Sequence, residues 1–263
     1  MLNPEPAGIH PTAVIHPRAE LDSGVAVGPF AVIGEGVKVG AGTVIGAHVV
    51  LEGPAAIGRD NRIGPFACLG GAPQHVSYRG EPTRLRVGDR NLIREYVTLH
   101  RGTVSGRGET VVGNDNFIMI GCHVAHDCVL GNHVLMANQA LLAGHVILED
   151  HAVLGGLSGV HQYCRVGRGA MLAAISGAPM DVPPWSLVAG DRARFIGLNR
   201  VGIKRVGLSL ETAHALRRAY RTIFRSGLRL EEALVKAQEE FGADPEVAHL
   251  LEFIRTSQRG VIR

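Results

Sequence analysis

A parallel β-helix built from six-residue repeats, mainly β and followed by a small C-terminal α-helical domain, is the fold class that this sequence predicts. Three observations lead there. Aliphatic residues recur at every sixth position over most of residues 9–172; glycine is abundant, at 35 of 263 residues, while aromatic residues make up only 5%; and past residue 190 the repeat gives way to helix-capping signals.

Stepping by six from Ile9 lands on Ile15, Leu21, Val27, Ile33, Val39, Ile45, Leu51, Ile57, Ile63 and Leu69. The same phase returns at Val87, Ile93 and Leu99, slips by one through a Gly-rich stretch, and runs again from Val112 through Ile118, Val124, Leu130 and Met136 to Leu172. A period of six fits neither a helix nor a hairpin. Three hexads make a triangular coil of about eighteen residues whose strands pair with those of the coil above. Such a prism has a core one aliphatic wide per side, which leaves little room for aromatic rings. The residue after the aliphatic is commonly glycine, as at Gly28, Gly34, Gly40 and Gly46, and reads as the mark of a recurring tight turn. Spacing does not fix the handedness, and the general rule for parallel crossovers is right-handed. The β-helix is expected over residues 1–190, with loops near 70–86 and 100–111 leaving the coil.

The helical domain is expected over 191–263. Ser209 caps a helix running to Gly227, LEEALVKAQEEFG forms a second, and Asp244 with Pro245 opens a third that reaches about Gly260. This segment carries 14 Lys and Arg against 9 Asp and Glu, whereas residues 1–190 carry 13 against 15. The basic surplus therefore belongs to the helices, as an ordinary solvated surface or as a site for an acidic partner.

A formal net charge of +3, without any Lys/Arg run, disfavours nucleic acid as a partner. The apolar runs fall short of a membrane span, and the N-terminus lacks the basic-then-apolar pattern of an export signal. Cys68, Cys122, Cys128 and Cys164 form no CxxC pair and read as small residues inside the apolar repeats, so a reducing cytoplasm is the expected location.

The repeat also says which residues stack. Val124, Leu142 and Val160 are one coil apart, so His126, the Gly144-His145 pair and His161 share an edge, with His123 and Gln162 flanking it. Strand spacing puts His126 roughly 5 Å from the Gly144-His145 level and about 10 Å from His161. Imidazoles clustered in this way offer general base catalysis or metal ligation. For the first, Asp127 follows His126 and can fix its tautomer, and the side-chain-free Gly144 lets a backbone N–H approach an oxyanion. For the second, zinc held by three histidines, as in the β-helical γ-class carbonic anhydrases, is the competitor, although four histidines over three coils single out no trio.

The segments NFIMIGCHVAHDC, LAGHV, VHQYC, DVPPW, YRGEPTR followed by VGDRNLIRE and HRGT, and the terminal SQRGVIR, taken in this order, resemble the UDP-N-acetylglucosamine O-acyltransferases, a family of hexapeptide-repeat acyltransferases. The resemblance covers nearly the whole chain. It implies a left-handed β-helix, a homotrimer with sites in the clefts between prisms, and transfer of an (R)-3-hydroxyacyl group from acyl carrier protein to the sugar 3-OH of UDP-N-acetylglucosamine, the first step of lipid A biosynthesis. No metal or organic cofactor is implied. His126 then matches the general base, Asp127 its orienting carboxylate and Gly144 the oxyanion donor. Gln74, His123, His145, His161 and Gln162 match contacts to the sugar and diphosphate, and Asn199 and Arg205 match nucleotide contacts. Arg165, Arg168, Arg217, Arg218, Arg221 and Arg225 are candidates to receive the acidic carrier protein. A sibling family that acylates a 2-amino group carries an N-terminal uridine-binding domain, for which a ladder starting at Ile9 leaves no room.

Two departures carry expectations of their own. His75 and Ser77 stand where the family often has an acidic residue and a lysine, which keeps a 3-amino sugar open as acceptor. Ala174 stands where the acyl ruler can have glycine, with Met171 beside it; the added methyl predicts an acyl chain shorter than about fourteen carbons.

Overall fold

The computed structural model describes residues 8–263; residues 1–7, the start of the segment assigned to the β-helix, lie outside the described residues. The chain winds as a left-handed parallel β-helix whose short strands stack into three sheets, followed by four helices. The first face holds nine strands, from Val14–Ile15 to Gly177–Ala178, and the second holds eight, from Glu20–Leu21 to Arg165–Val166. The third holds ten, from Ala26–Val27 to an antiparallel pair, Ser186–Ala189 and Arg194–Leu198, that ends the prism.

Strand residues alternate between inside and outside, and the ladder of six is the inward set. Ile45, Ile93, Ile118, Met136, Leu154 and Leu172 stack up the third face, each fully buried. Cys122, Cys128 and Cys164 fill the corners of this core as free thiols. Cys68 departs from the expectation: its neighbour Leu69 takes the inward position, so the thiol of Cys68 points outward and is exposed.

The repeat glycines also have a different cause from the one expected. Gly28 and Gly46 do not adopt positive φ; the left-handed positions are taken two residues later by Phe30 (φ 58°) and His48 (φ 57°). What demands glycine is the coil above. A Cβ on Gly28 would sit 2.7 Å from Ala47 N, and one on Gly46 2.8 Å from Pro65 N.

Polar side chains lock part of one corner. Asn91 Nδ2 donates to Asn61 Oδ1 and to Gly113 O, and Asn91 Oδ1 accepts from Asn116 N. Asn61 Nδ2 in turn reaches Gly88 O, and Asn116 Oδ1 accepts from Val134 N. All three amides are buried and satisfied, which a core position requires.

The chain leaves the coil between the strands Cys68–Gly71 and Arg84–Val87, and again between Thr98–His100 and Glu109–Val112. At the C-terminal end, α1 (Arg200–Val206) precedes α2 (Leu210–Arg225), α3 (Leu230–Phe241) and α4 (Pro245–Arg255). The sequence reading missed α1, a seven-residue helix with Gly202 inside it, started by Asn199 Oδ1 accepting from Gly202 N. It also extended α4 too far. The backbone turns at Thr256, and the tail pairs with the prism, Val261 bridging to Asp181 and Ile262 entering the core. Trp185 of the prism is buried among the helices, with Nε1 donating to Glu246, and Tyr220 donates to Pro184 O. The helices thus close the open end that a solenoid must cover.

Replacing Asn91 with alanine strands Gly113 O and Asn116 N–H, while Asn61 Oδ1 keeps the backbone N–H of residue 91. The expected loss is about 3 kcal/mol or more, read from urea denaturation against wild type.

Candidate active site

His126 and Asp127 lie on the corner between His123–Val124 and Val129–Leu130, where Asp127 takes a left-handed conformation (φ 61°) that turns the chain from the first face to the second. The Asp127 side chain is turned inward, with none of it exposed, beside the second excursion. Thr103 Oγ1 donates to Oδ2 at 2.6 Å, Thr103 N to both oxygens at 3.1 Å, and Arg107 N to Oδ1 at 2.8 Å. Burial alone would raise the carboxyl's pKa; the donors from Thr103, His126 and Arg107 outweigh it and hold Asp127 below its ordinary value.

An ionised carboxylate only accepts. The contact of His126 Nδ1 with Asp127 Oδ2, 2.8 Å long, therefore places the neutral ring's proton on Nδ1 and leaves Nε2 as a base. That ring lies against Gly144: a Cβ there would stand 2.6 Å from His126 Cε1 and 2.8 Å from Nε2. Ala143 N–H and His145 N–H are spent on Val160 O and His126 O. The Gly144 N–H between them makes no hydrogen bond among the described residues.

Gln74, His123, His126, Gly144, His161 and Gln162 line one cleft of about 740 Å³. Asp127 lies beneath it. His145 is behind the wall, stacked on Tyr163 at 4.4 Å and edge-on to His126 at 5.1 Å. His123 Nδ1 meets Thr98 Oγ1 at 2.7 Å, and burial, followed by the nearby His100 and His126, pushes its pKa down to about 4. Burial lowers His145 as well. The outward positions Gly159 and Gly177 follow Leu141 in register and leave a shallow groove in the first face beside His126.

Four residues singled out in the sequence stand apart from this cleft. Asn199 is buried at the start of α1, Nδ2 donating to Gly169 O, and Arg205 is exposed at the other end of that helix. Met171 is half-buried on the third face, and Ala174 is exposed on the turn between the third and first faces.

Sequence reasoning missed two residues that the second excursion brings in: Thr103 and Arg107 hold Asp127. His75, noted in the sequence as a departure in the first excursion, stands with its ring edge-on to His126 at 5.3 Å. The interruption of the repeat at residues 100–111 was the available signal, since it falls one coil before His126.

A metal finds poor terms here. His126, Asp127 and His145 do present possible ligand atoms within 4.8 Å of one another. Both Asp127 oxygens, however, are already occupied by donors from the second excursion and His126, and a cation would have to displace them.

Comparison with known proteins bears on the chemistry. Residues 181–262 match the family model described as UDP-N-acetylglucosamine O-acyltransferase, domain 2. Residues 12–47, 36–71 and 109–144 match the bacterial transferase hexapeptide model. The chain is 52% identical over 255 residues to the acyl-(acyl-carrier-protein)–UDP-N-acetylglucosamine O-acyltransferase of Halorhodospira halophila, covering 97% of this chain and 99% of that one. Among solved structures, it superposes on UDP-N-acetylglucosamine O-acyltransferase from Moraxella catarrhalis with a TM-score of 0.94 at 41% identity, over 97% of this chain and 99% of that one. The Arabidopsis UDP-N-acetylglucosamine acyltransferase gives 0.84 at 35%, over 97% and 100%.

His123 binds its proton less readily folded than unfolded. Its contribution to stability is complete above its ordinary pKa of 6.5 and is lost as the pH falls from there towards about 4. Denaturation midpoints taken between pH 7 and pH 4 should fall for wild type and fall less for His123→Asn; parallel curves would contradict this.

Proposed function

This chain belongs to the UDP-N-acetylglucosamine O-acyltransferase family, and from that membership and the cleft geometry we propose how it transfers its acyl group. It is an acyltransferase that uses acyl carrier protein as donor and UDP-N-acetylglucosamine as acceptor, in lipid A biosynthesis. The observation that carries the mechanism is the line Asp127, His126, Gly144: a fixed proton on Nδ1, a basic Nε2, and an unspent amide beside it.

In the proposed reaction, His126 Nε2 takes the proton of the sugar 3-OH as its oxygen attacks the thioester of an (R)-3-hydroxyacyl chain. Asp127 steadies the imidazolium, and the Gly144 N–H donates to the oxygen that becomes negative. Collapse of the adduct expels the carrier's thiolate, which receives the proton from His126. Gln74, His123, His161 and Gln162 hold the sugar and diphosphate from the cleft walls, His145 braces His126 from behind, and no cofactor takes part.

A homotrimer completes the proposal. Leu92, Phe117, Leu135, Val153, Met171 and Leu187 stand in register on the outside of the third face, an apolar column that a lone prism leaves half exposed. Association of such faces would bring α1, with Asn199 holding it and Arg205 exposed on it, to a neighbouring prism's nucleotide. Within the trimer the acyl chain would leave the groove at Gly159 and Gly177 and run between two prisms, where the Ala174 methyl and Met171 would end it. No helix among the described residues is long and apolar enough to cross a membrane, and the four free thiols fit the reducing cytoplasm in which we place the enzyme.

The basic candidates differ in how far their charge is already engaged. Arg165 is spent on Asp181 and Phe253 O, Arg168 on Glu246, and Arg218 lies over the Phe241 ring. Arg217, Arg221 and Arg225 instead converge with Arg200 on a separate cleft of about 560 Å³. We assign docking of the acidic carrier to that cleft.

Purified enzyme treated with chelator should acylate UDP-N-acetylglucosamine, and His126→Ala should lower the rate by roughly 10²- to 10⁴-fold at unchanged melting temperature. Loss of activity with the chelator would instead favour the metal reading. A panel of 3-hydroxyacyl carrier proteins should show preference for a chain below about fourteen carbons, lengthened in Ala174→Gly. A best donor of fourteen carbons in wild type would refute the ruler.

A further inference from the structure

The last residues of the chain return to the cleft. Asp181 anchors them: its N–H donates to Gly260 O, its C=O accepts from Ile262 N, and its Oδ2 accepts from Ser257 Oγ at 2.8 Å. Asp181 is in turn held by Arg165, and Ile262 is fully buried in the prism core. Between Ser257 and Gly260 this tethered segment carries Arg259, whose Nη2 stands 3.2 Å from His161 Nδ1.

Two contacts compete for that nitrogen, and they demand opposite roles. Gln162 O, 3.3 Å away, can only accept and so calls for a proton on Nδ1. The Arg259 guanidinium can only donate and so calls for a bare Nδ1, which in a neutral ring puts the proton on Nε2. The difference matters on the other side of the ring, because His161 lines the cleft. With Arg259 engaged, Nε2 offers a donor; with Arg259 absent, the same atom offers a lone pair.

We propose that Arg259 is a positioning residue that fixes His161 as an Nε2–H donor, so that the cleft presents a hydrogen-bond donor to an oxygen-rich, anionic ligand. The ligand's identity as the sugar diphosphate rests on the proposed function; the tautomer does not. A diphosphate or sugar oxygen accepts from an N–H and is repelled by a lone pair, so the wrong tautomer weakens binding of the acceptor without touching the base at His126. Arg259 is exposed and reaches the cleft through His161, with the buried Cys164 thiol as its other partner, while the tail stays fixed through Asp181 and Ile262.

Nitrogen-15 NMR of the histidine rings in the full-length protein reads the tautomer directly, with His161→Gln used to assign the signals. Wild type should show His161 protonated on Nε2 with a bare Nδ1; Arg259→Ala should move the proton to Nδ1, and Arg259→Lys, which keeps a cationic donor, should restore the wild-type pattern. In kinetics, Arg259→Ala should raise the KM for UDP-N-acetylglucosamine roughly tenfold with little change in kcat, and Arg259→Lys should recover most of it. An Nδ1-protonated ring in wild type, or a tautomer unmoved by Arg259→Ala, overturns the proposal. The expected tautomers in an enzyme that does not acylate this sugar would leave the positioning role standing and reject the acceptor instead.

Discussion

Each coil spends its backbone hydrogen bonds on the coils beside it, and everything else in the molecule is arranged around that. Val14 N–H donates to Ala31 O, Val32 N–H to Val49 O and Val50 N–H to Ala67 O, so equivalent positions rise through the prism at the strand spacing. Rings at equivalent corners therefore stack: Phe30 on His48 at 5.1 Å, His48 on Phe66 at 4.9 Å, His133 on His151 at 4.9 Å. The same rule stacks His145 on Tyr163 at 4.4 Å and sets Gly144 against the ring of His126. A cluster of imidazoles is thus assembled by vertical repetition, without the chain having to fold back on itself.

The coils supply position, and the excursions supply chemistry. His126 and Gly144 belong to successive coils and are held by the ladder, which explains how closely the imidazole lies over the glycine. Asp127 would be a costly buried charge if it depended on the coil alone. Thr103 and Arg107, from the excursion one coil earlier, stabilise the ionised form with backbone and hydroxyl donors. The orientation of His126 is consequently tied to the contacts of that loop with Asp127, and the carboxylate stands among imidazoles whose proton affinity burial lowers, as at His123 and His145.

The prism was legible because its period is a property of the one-dimensional sequence. Stepping by six from Val27 to Leu172, across one interruption and one slip of phase, traces the buried column, and the eighteen-residue offsets of Val124, Leu142 and Val160 put the histidines on one edge. What depends on closeness between coils was misread. The glycines after the aliphatics looked like turn residues because both a left-handed φ and a close backbone approach select glycine, and only coordinates separate the two causes. Helix α1 was hidden by its brevity and its internal glycine. Thr103, Arg107 and Arg259 were hidden because loops and tails obey no period, so nothing in their spacing points to Asp127 or His161.

The buried asparagine column has a consequence for how the protein ages. Deamidation begins when the backbone nitrogen of the following residue attacks the asparagine side-chain carbonyl and closes a succinimide ring. After Asn61, Asn91 and Asn116 those nitrogens belong to Arg62, Leu92 and Phe117, and each is pinned by donating its hydrogen to Asn91 O, Asn116 O and Val134 O on the next coil. The carbonyl oxygens of the three side chains are likewise held by backbone N–H groups. Neither partner can swing into the geometry of ring closure while the coils stay stacked, so chemical lifetime at these sites is set by the fraction of time the prism spends open.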